Sequence, residues 1–335
     1  MGLFTRDVAI DLGTANTIIY VKGKGIVVRE PSVVAIDRYN GKIVAVGNEA
    51  NAMIGRTPEN IVAVRPMKDG VIADFEITQA MIKQFVRKAD VMGIIKPRVI
   101  VCIPSGITEV ERRAVEEAVI QAGAKDVALI EEPMAAAMGA GLPVKRATGS
   151  MVMDIGGGTT EVAVISMGGI VSARSIRIAG DAMDSAIINY LKKNMGINIG
   201  DKMAEEIKIK IASAYEDDNV AFCDVRGRDV QSGLPKTVQV SETQIRHAIK
   251  ENIDEMLEAV KMTLEHTPPE LAADVMERGI TLTGGGAMIK GLDKLLTEVT
   301  RIPAQVAEYP LDCVALGTGK ALDNIKEQFN KKSYM

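Results

Sequence analysis

Hydrophobic residues near the start of the chain form two short runs separated by a glycine-containing turn. Residues 7–11 and 17–21 are rich in aliphatic and β-branched side chains, and residues 12–16 between them are mostly small or polar. Apolar runs of this length, bounded by turn residues, are typical of buried strands. The chain therefore begins with a predicted strand, a turn and a return strand.

The same pattern returns in the middle of the chain. Aligning Asp11 with Asp154, 143 positions later, also aligns Gly13 with Gly156. The second copy consists of a predicted strand at 151–154, a turn at 155–159 and a return strand at 160–165. An internal repeat constrains the fold strongly, and this one predicts a duplicated α/β domain.

Helical patterns fall between the predicted strands. Thr108 and Glu111 have the spacing of a capping box, and Gly123 ends the helix that follows. Its predicted apolar face comprises Val110, Ala114, Val115, Ala118 and Val119. Ser241 and Gln244 open a longer helix in the same way, with a predicted apolar face at Ile245, Ile249, Ile253, Met256, Leu257, Val260 and Leu264.

Two stretches depart from this alternation of strands and helices. Residues 30–74 are β-rich with turn signals, and residues 181–241 mix helices with a polar β segment at 225–240. Each stretch is interpreted as a smaller insert carried on one half of the duplicated fold. The predicted architecture has two large and two small subdomains around one cleft.

Composition argues against several classes of function. The net charge is −4, Trp is absent and aromatic residues make up 3%, so neither a basic field nor a stacking platform for nucleic acid is expected. The three cysteines form no CxxC pair, which is typical of a reducing compartment without a zinc site. No apolar run reaches the roughly 20 residues that span a bilayer. A cytoplasmic protein is predicted.

Both repeated turns have the features of phosphate loops. Gly13 and the glycines 156–158 allow tight turns, after which backbone N–H groups can point at a phosphate. Asp11 and Asp154, at the strand ends, can hold Mg²⁺ through water. The alternative is a strand ending in a polar turn, or a plain hairpin at the second loop. The pairing of two such loops favours a triphosphate clamped between them.

A third glycine run, 283–288, follows a predicted strand and precedes a helix. A flat glycine surface there can pack against an adenine or a ribose, with helix N–H groups nearby. The alternative is an ordinary turn between a strand and a helix.

These motifs together resemble the actin/Hsp70/sugar-kinase ATPase superfamily. The residues that carry the resemblance are DLGTAN at 11–16, EEPMAAA at 131–137, DIGGGTTE at 154–161, AGDAMD at 179–184, LTGGGA at 282–287 and ALGTGKAL at 315–322. More closely, the chain resembles MreB-type bacterial actins from about residue 6 to 325. The more specific segments are RPMKDGVIADF at 65–75, SGLPKT at 232–237 and TPPELAAD at 267–274.

The resemblance implies an α/β fold, the duplicated actin-like (ribonuclease H-like) ATPase fold, with two large and two small subdomains around a nucleotide cleft. The implied boundaries are 1–31 and 75–142 for subdomain IA, 32–74 for IB, 143–180 and 247–310 for IIA, 181–246 for IIB, and 311–335 for a C-terminal helix returning to IA.

The resemblance also implies roles for individual residues. Asp11 and Asp154 would organise the Mg²⁺ water shell, and Glu132, helped by Thr159, would orient the attacking water. Without the resemblance, Glu132 reads as an acid at a helix N-terminus. The implied nucleotide contacts are Gly13, Thr14, Ala15, Asn16, Gly156, Gly157, Gly158, Thr159, Glu205, Glu206, Ile207, Lys208, Gly284, Gly285, Gly286, Ala287 and Met288.

Two of these positions have ordinary alternatives, and one position departs from the family. Glu205 and Lys208, which the resemblance places around the adenosine, could form a common i,i+3 ion pair. MreB relatives often carry a basic residue where this chain has Asn51. Hydrolysis here can differ if that charge reaches phosphate.

A candidate membrane anchor lies at Ile94 and Ile95, between a predicted helix and a predicted strand. Basic residues flank this pair at Arg87, Lys88, Lys96 and Arg98. Two aliphatic anchors within a basic collar suit shallow insertion at an anionic lipid surface. MreB-like proteins bind membrane at the matching loop, so the resemblance favours this interpretation over scattered exposed isoleucines. Leu3 and Phe4 can add to it.

The function that the resemblance implies is structural. ATP-bound subunits would assemble into paired antiparallel filaments on the inner face of the cytoplasmic membrane, with slow hydrolysis as a timer. The expected partners are other copies of the chain, the membrane and transmembrane proteins of the cell-wall elongation machinery. The alternatives are a small-molecule kinase, which lacks a candidate base beyond Glu132, and an Hsp70-like chaperone, which needs a further domain beyond Met335.

Overall fold

The computed structural model describes residues 7–91, 96–216 and 219–325. Its strands are β1 Val8–Leu12, β2 Asn16–Val21, β3 Gly25–Pro31, β4 Val34–Asp37, β5 Ile43–Val46, β6 Ile61–Val64, β7 Met67–Lys68, β8 Val71–Ile72, β9 Arg98–Ile103, β10 Asp126–Glu131, β11 Ser150–Ile155, β12 Thr160–Ser166, β13 Gly169–Ile176, β14 Ile197–Asn198, β15 Phe222–Asp229, β16 Pro235–Ser241, β17 Ile280–Thr283 and β18 Ala304–Val306. Its α-helices are α1 Asn48–Met53, α2 Phe75–Lys88, α3 Glu109–Gln121, α4 Glu132–Gly139, α5 Gly180–Met195, α6 Asp201–Ile211, α7 Glu242–Glu265, α8 Pro269–Arg278, α9 Leu292–Thr300 and α10 Cys313–Ala321.

Two five-stranded sheets with the same topology form the centre of the molecule. Their strand orders are β3-β2-β1-β9-β10 and β13-β12-β11-β17-β18. In each sheet the first three strands are antiparallel neighbours and the last two join in parallel. The duplicated α/β domain predicted from the repeat is confirmed.

The repeat extends to the register of single residues. Asp11 lies opposite Ile18 in the β1–β2 pair, and Asp154 lies opposite Glu161 in the β11–β12 pair. Each turn is closed by an equivalent backbone hydrogen bond, from Gly13 N to Asn16 O at 3.1 Å and from Gly156 N to Thr159 O at 2.9 Å. The two candidate phosphate loops therefore have the same closing turn.

The predicted helices are largely confirmed. Both capping boxes form, with Thr108 and Glu111 opening α3 and Ser241 and Gln244 opening α7. All but Leu264 of the predicted apolar face of α7 are buried, and Leu264 packs at the edge of the same core. The prediction for α3 was wrong at one position, since Val110 in its first turn is 78% exposed. Only the later part of that face reaches the core.

Smaller elements occupy the two inserts. The first carries the sheet β5-β4-β6, the short helix α1, which includes Asn51, and the hairpin β7–β8. The second carries α5, α6 and the sheet β14-β15-β16. The predicted polar β segment corresponds to β15 and β16. Helix α1 was not predicted, because it spans six residues and lacks a side-chain cap.

Helices α4 and α10 pack closely between the two large sheets. A Cβ placed on Gly317 would lie 1.7 Å from Ala135 O, and one placed on Gly139 would lie 1.8 Å from Cys313 O. Both helices belong to a core that includes Ile100 and Ile130 of the first sheet and Val152 and Ile165 of the second. The halves are thus joined by a small-residue helix pair.

In the described part of the chain, no helix has the length and apolar character needed to cross a bilayer. The candidate anchor residues Ile94 and Ile95, and the residues Leu3 and Phe4, lie outside the described residues.

Candidate functional site

The two repeated loops lie in direct contact. A Cβ placed on Gly157 would lie 2.7 Å from the Ala15 Cβ, and one placed on Gly158 would lie 2.5 Å from the Thr14 Oγ1. Any side chain at these two positions would therefore push the loops apart. The close approach explains why the second loop carries consecutive glycines.

Backbone donors from both loops are left without protein partners. The N–H groups of Gly13 and Gly156 close their own turns. Within the described ranges, the N–H groups of the next residues in each loop find no protein acceptor; they belong to Thr14, Ala15, Gly157 and Gly158. Clustered N–H groups of successive residues favour the binding of an anion. The two loops together form an anion cradle with donors from each half.

Asp11 lies beside the first loop, in an environment that disfavours its ionised form. Burial raises the pKa of its carboxyl group to about 6, although a hydrogen bond from Cys102 and the charge of Arg29 partly offset this. The Cys102 Sγ lies 3.3 Å from Asp11 Oδ1. Burial and the Asp11 charge raise the pKa of Cys102 well above its usual value, so the thiol stays protonated and donates.

Asp154 is the equivalent carboxylate of the second half. It is 5% exposed, and burial raises its pKa to about 7 despite a hydrogen bond from Thr283. The Thr283 Oγ1 lies 2.7 Å from Asp154 Oδ1. Asp11 and Asp154 each raise the pKa of the carboxyl groups around them, so the site concentrates negative charge that a cation would relieve.

The donor chemistry suits a cation held through water. Among the described residues, no group of three or more His, Cys, Asp or Glu side chains is arranged to ligate a metal directly. Two strained carboxylates beside an anion cradle match Mg²⁺, which keeps most of its waters and binds through one or two carboxylates plus phosphate oxygens. The residues present therefore fit an indirectly held magnesium ion.

Glu132 begins α4 at the carboxyl end of β10 and is 8% exposed. Burial raises its pKa well above the ordinary value, and the nearby charges of Glu161, Asp11 and Asp154 raise it further. Glu132 therefore occupies the helix-terminal position that the sequence suggested, and its role beside an attacking water stays a prediction. It lies in the first turn of a helix, and it also shares the electrostatic environment of the two loop aspartates.

A tight hairpin covers both loops. Its turn residues Asp69 and Gly70 have φ values of 51° and 77°, the left-handed conformation that a two-residue type I′ turn requires. Gly70 N donates to Thr14 Oγ1 at 2.9 Å. A Cβ placed on Gly70 would lie 2.8 Å from the Thr159 Cγ2. The hairpin thus fixes Thr14 and Thr159 together, a relationship that the sequence did not indicate.

Lys208 is connected to the second loop through α5. Its Nζ donates to Gly180 O and to Asp184 Oδ2, each at 2.9 Å, and Gly180 N donates to Gly156 O. In the described part of the chain, Lys208 does not form the alternative ion pair with Glu205. The side chain of Ile207 is 3% exposed and packs in the core, so the nucleotide contact predicted there would be made by its backbone.

The third glycine run packs against the second loop's own strand. Gly284 adopts a φ of 79°, and a Cβ there would lie 2.3 Å from Ile155 O. Gly286 approaches the Ile155 side chain equally closely. Residues Gly285–Met288 form a 3-10 helix in which Ala287 is buried and Met288 is 62% exposed. Close packing therefore explains two of the glycines, while the Ala287 side chain lies in the core.

Three further residues join the site that sequence reasoning did not single out. Cys102 reaches Asp11 from the neighbouring strand β9, Arg65 forms a 3.5 Å ion pair with Asp181 at the start of α5, and Glu161 lies opposite Asp154. A buried acid in an otherwise apolar strand was the available signal for Glu161. Nothing local indicates the contacts of Cys102 or Arg65, because their partners are distant in sequence.

Comparisons with known proteins identify the family of this chain. The MreB/Mbl protein family model matches residues 5–330. The chain is 53% identical to the cell shape-determining protein Mbl of Bacillus subtilis (strain 168), over 98% of this chain and 99% of Mbl. It is 56% identical to the cell shape-determining protein MreB of Escherichia coli (strain K12), over 97% of this chain and 95% of MreB.

A solved structure extends the likeness to three dimensions. The crystal structure of MreB 5 of Spiroplasma citri bound to AMPPNP superposes with a TM-score of 0.93 at 38% identity, covering 99% of this chain and 100% of that one. The family model and both relatives span almost the whole sequence. The chain therefore belongs to the MreB/Mbl family.

Proposed function

We propose that this protein binds ATP with Mg²⁺ between its two glycine loops and hydrolyses it slowly to time the assembly of a membrane-associated filament that maintains rod cell shape. The observation that carries the proposal is the anion cradle, in which Thr14 and Ala15 face Gly157 and Gly158 with unpaired N–H groups. The AMPPNP bound to the Spiroplasma citri relative supports nucleotide binding by this chain.

The loop residues bind and orient the triphosphate. Backbone N–H groups of 14–16 and 157–159 hold the phosphates, while Gly13 and Gly156 shape the turns. Asp11 and Asp154 would hold Mg²⁺ through water, and the bound ion would compensate the charges of the phosphate oxygens and of the two aspartates.

Glu132 takes the proton of the attacking water, and Thr159 helps to position that water. A carboxyl group suits this task because it can accept both the hydrogen bond and the proton. Its raised pKa makes the ionised form a stronger proton acceptor than an exposed glutamate would be. Positioning of water and the phosphates accounts for most catalysis in phosphoryl transfer, so a slow rate is compatible with this sparse site.

The nucleoside end lies between α6 and the third glycine run. Glu205, Glu206 and the backbone at Ile207 flank the ribose and the ring, with Lys208 held beside them by Asp184. On the other side, the residues Gly284, Gly285, Gly286, Ala287 and Met288 offer backbone surface to the base.

The subdomains, with the boundaries expected from the sequence, are proposed to move as separate bodies around this cleft. Assembly is proposed to be homopolymeric, in antiparallel pairs of filaments. Large apolar side chains are exposed in the region of the second small sheet, at Ile209, Phe222 and Leu234, which are 78%, 56% and 65% exposed. Exposed apolar surface of this kind is typical of interaction sites.

The proposed location is cytoplasmic, at the inner face of the cell membrane, with Ile94 and Ile95 as the anchor. Transmembrane proteins of the cell-wall elongation machinery are the proposed partners, and nucleic acid is not one. Weak individual anchors become effective when many are aligned along one polymer.

The testing experiment is sedimentation with anionic liposomes and Mg-ATP, followed by electron microscopy of the pellet. Wild type is expected to form paired filaments on lipid, and the Ile94→Ser/Ile95→Ser variant to form filaments that stay off it. A wild-type chain that remains unassembled at every concentration would contradict the filament proposal. ATPase rate against protein concentration then separates assembly, which gives a threshold, from a metabolite kinase, which gives a linear rise.

A further inference from the structure

Glu161 is a buried carboxylate that the proposed function leaves without a role. It lies on β12 with 0% exposure. It accepts hydrogen bonds from Ser105 N at 3.1 Å, from the Ser105 hydroxyl and from the Ser175 hydroxyl. Ser105 follows β9 of the first sheet, whereas Ser175 lies on β13 of the second. One carboxylate therefore bonds to both halves.

The repeat shows that the fold itself does not require this charge. The position equivalent to Glu161 in the first half is Ile18, which lies opposite Asp11 as Glu161 lies opposite Asp154. An isoleucine supports the same strand pairing there. A buried charge is costly unless it is well paired. Its presence in one half alone points to a task specific to that place.

The position of Ser105 shows what this task controls. Ile103, the last residue of β9, lies beside Glu131 in the parallel pair with β10. Ser105 and Glu132 therefore follow the same edge of the first sheet. On the opposite side, Glu161 is two residues beyond Thr159 on the strand that leaves the second loop. The bonds between Ser105 and Glu161 therefore fix the position of Glu132 relative to Thr159, the two residues on either side of the proposed water site.

The loop that follows β9 docks tightly against the second half. A Cβ placed on Gly106 would lie 3.1 Å from the Ser175 Cβ. Another contact between the halves, the ion pair of Arg177 with Glu111, spans 3.6 Å with side chains 61% and 27% exposed. Solvent-exposed pairs of this kind contribute little. The buried bonds of Glu161 are the stronger constraint.

We propose that Glu161 is a positioning residue for hydrolysis, which sets Glu132 against Thr159 by fixing Ser105 to the second half. This inference rests on the proposed ATP hydrolysis. Glu161 acts through Ser105 and touches no reacting atom. Its charge adds to the raised pKa of Glu132, as expected for a neighbour in the same buried cluster.

Glu161→Gln, Ser105→Ala and the double variant test the proposal. The measurements are single-turnover hydrolysis of bound Mg-ATP and, separately, the Kd for the same nucleotide. Hydrolysis is expected to fall about tenfold in each single variant, because small misplacements cost large factors in rate. The Kd for nucleotide is expected not to weaken. The double variant should be no slower than the slower single variant, since the two residues act as one unit.

Ser172→Ala is the matched control, since its hydroxyl bond to Thr263 O lies within one half. It should hydrolyse at the wild-type rate. Wild-type hydrolysis in Glu161→Gln and Ser105→Ala would overturn the inference, as would parallel losses of rate, affinity and thermal stability. If Glu161→Gln does not fold, the charge-preserving Ser105→Ala decides alone. A wild-type chain without ATPase activity would instead overturn the proposed function.

Discussion

Thr283 and Asp154 are joined by a buried hydrogen bond between the two parallel strands at the centre of the second sheet. The Thr283 hydroxyl donates to Asp154 Oδ1 at 2.7 Å, and both residues are at most 5% exposed. The bond connects the third glycine run to the second candidate phosphate loop. It also favours the ionised form of Asp154, which is the form that can hold a cation.

Removing this hydroxyl is expected to weaken binding of Mg-nucleotide. Thr283→Val keeps the side-chain shape but raises the pKa of Asp154 further. A hydrogen bond to a charged group contributes about 1.5–3 kcal/mol, so we expect an affinity loss of about tenfold or more, measured by calorimetry. Thr281→Val, a buried threonine on the same strand, is the control. Equal affinities for Thr283→Val and wild type would contradict the role of this bond.

Stability of the nucleotide-free protein is expected to depend on the ionisation of Asp154. Its folded pKa of about 7 lies above the ordinary value of 3.8. The folded state thus binds the proton more tightly than the unfolded state, so the contribution is fully present at low pH and is lost as pH rises through 7. Asp154→Asn cannot titrate and provides the reference.

The measurement is urea unfolding of wild type and Asp154→Asn between pH 5 and 8. The free energy of unfolding of wild type, relative to the variant, is expected to fall by about 2–3 kcal/mol over this range. Asp11, with a pKa of about 6, should give a similar slope over a range that ends about one pH unit lower. A difference that does not change with pH would show that Asp154 titrates normally in the fold.

Contact between the two loops makes a strong prediction for Gly157. Gly157→Ala places a methyl group 2.7 Å from the Ala15 Cβ and forces the loops apart. Nucleotide binding should fall by tenfold or more while the far-UV circular dichroism spectrum is unchanged. Gly200→Ala is the control, because a Cβ there meets no atom within 4 Å. Wild-type affinity in Gly157→Ala would mean that the loops do not act as one cradle.

Much of this site can be predicted from the sequence because its main parts are local and repeated. A strand, an aspartate and a glycine turn occupy fewer than ten residues, and the second copy fixes the alignment of Asp11 with Asp154. The capping boxes of α3 and α7 are equally local. The pairing register of the two strands that flank each loop then follows from the hydrogen bond that closes its turn.

What the sequence did not predict depends on contacts between distant segments. Cys102 reaches Asp11 only because β9 pairs with β1 in parallel, and Glu161 meets Ser105 only when the two sheets are apposed. Lys208 bonds to Asp184 of α5, which lies 24 residues away in the sequence. Side-chain burial at Ile207 and Ala287 likewise depends on packing that periodicity alone leaves open.

The packing of α4 on α10 reverses the usual effect of replacing glycine by alanine in a helix. Gly317 lies in α10, where Gly→Ala ordinarily stabilises by about 1 kcal/mol. Here the new Cβ would lie 1.7 Å from Ala135 O, so the helices must separate. We expect Gly317→Ala to lower the melting temperature and to slow hydrolysis, because Glu132 begins the displaced helix. A higher melting temperature, the ordinary helical response measured by calorimetry, would show that this helix pair yields without cost and does not fix Glu132.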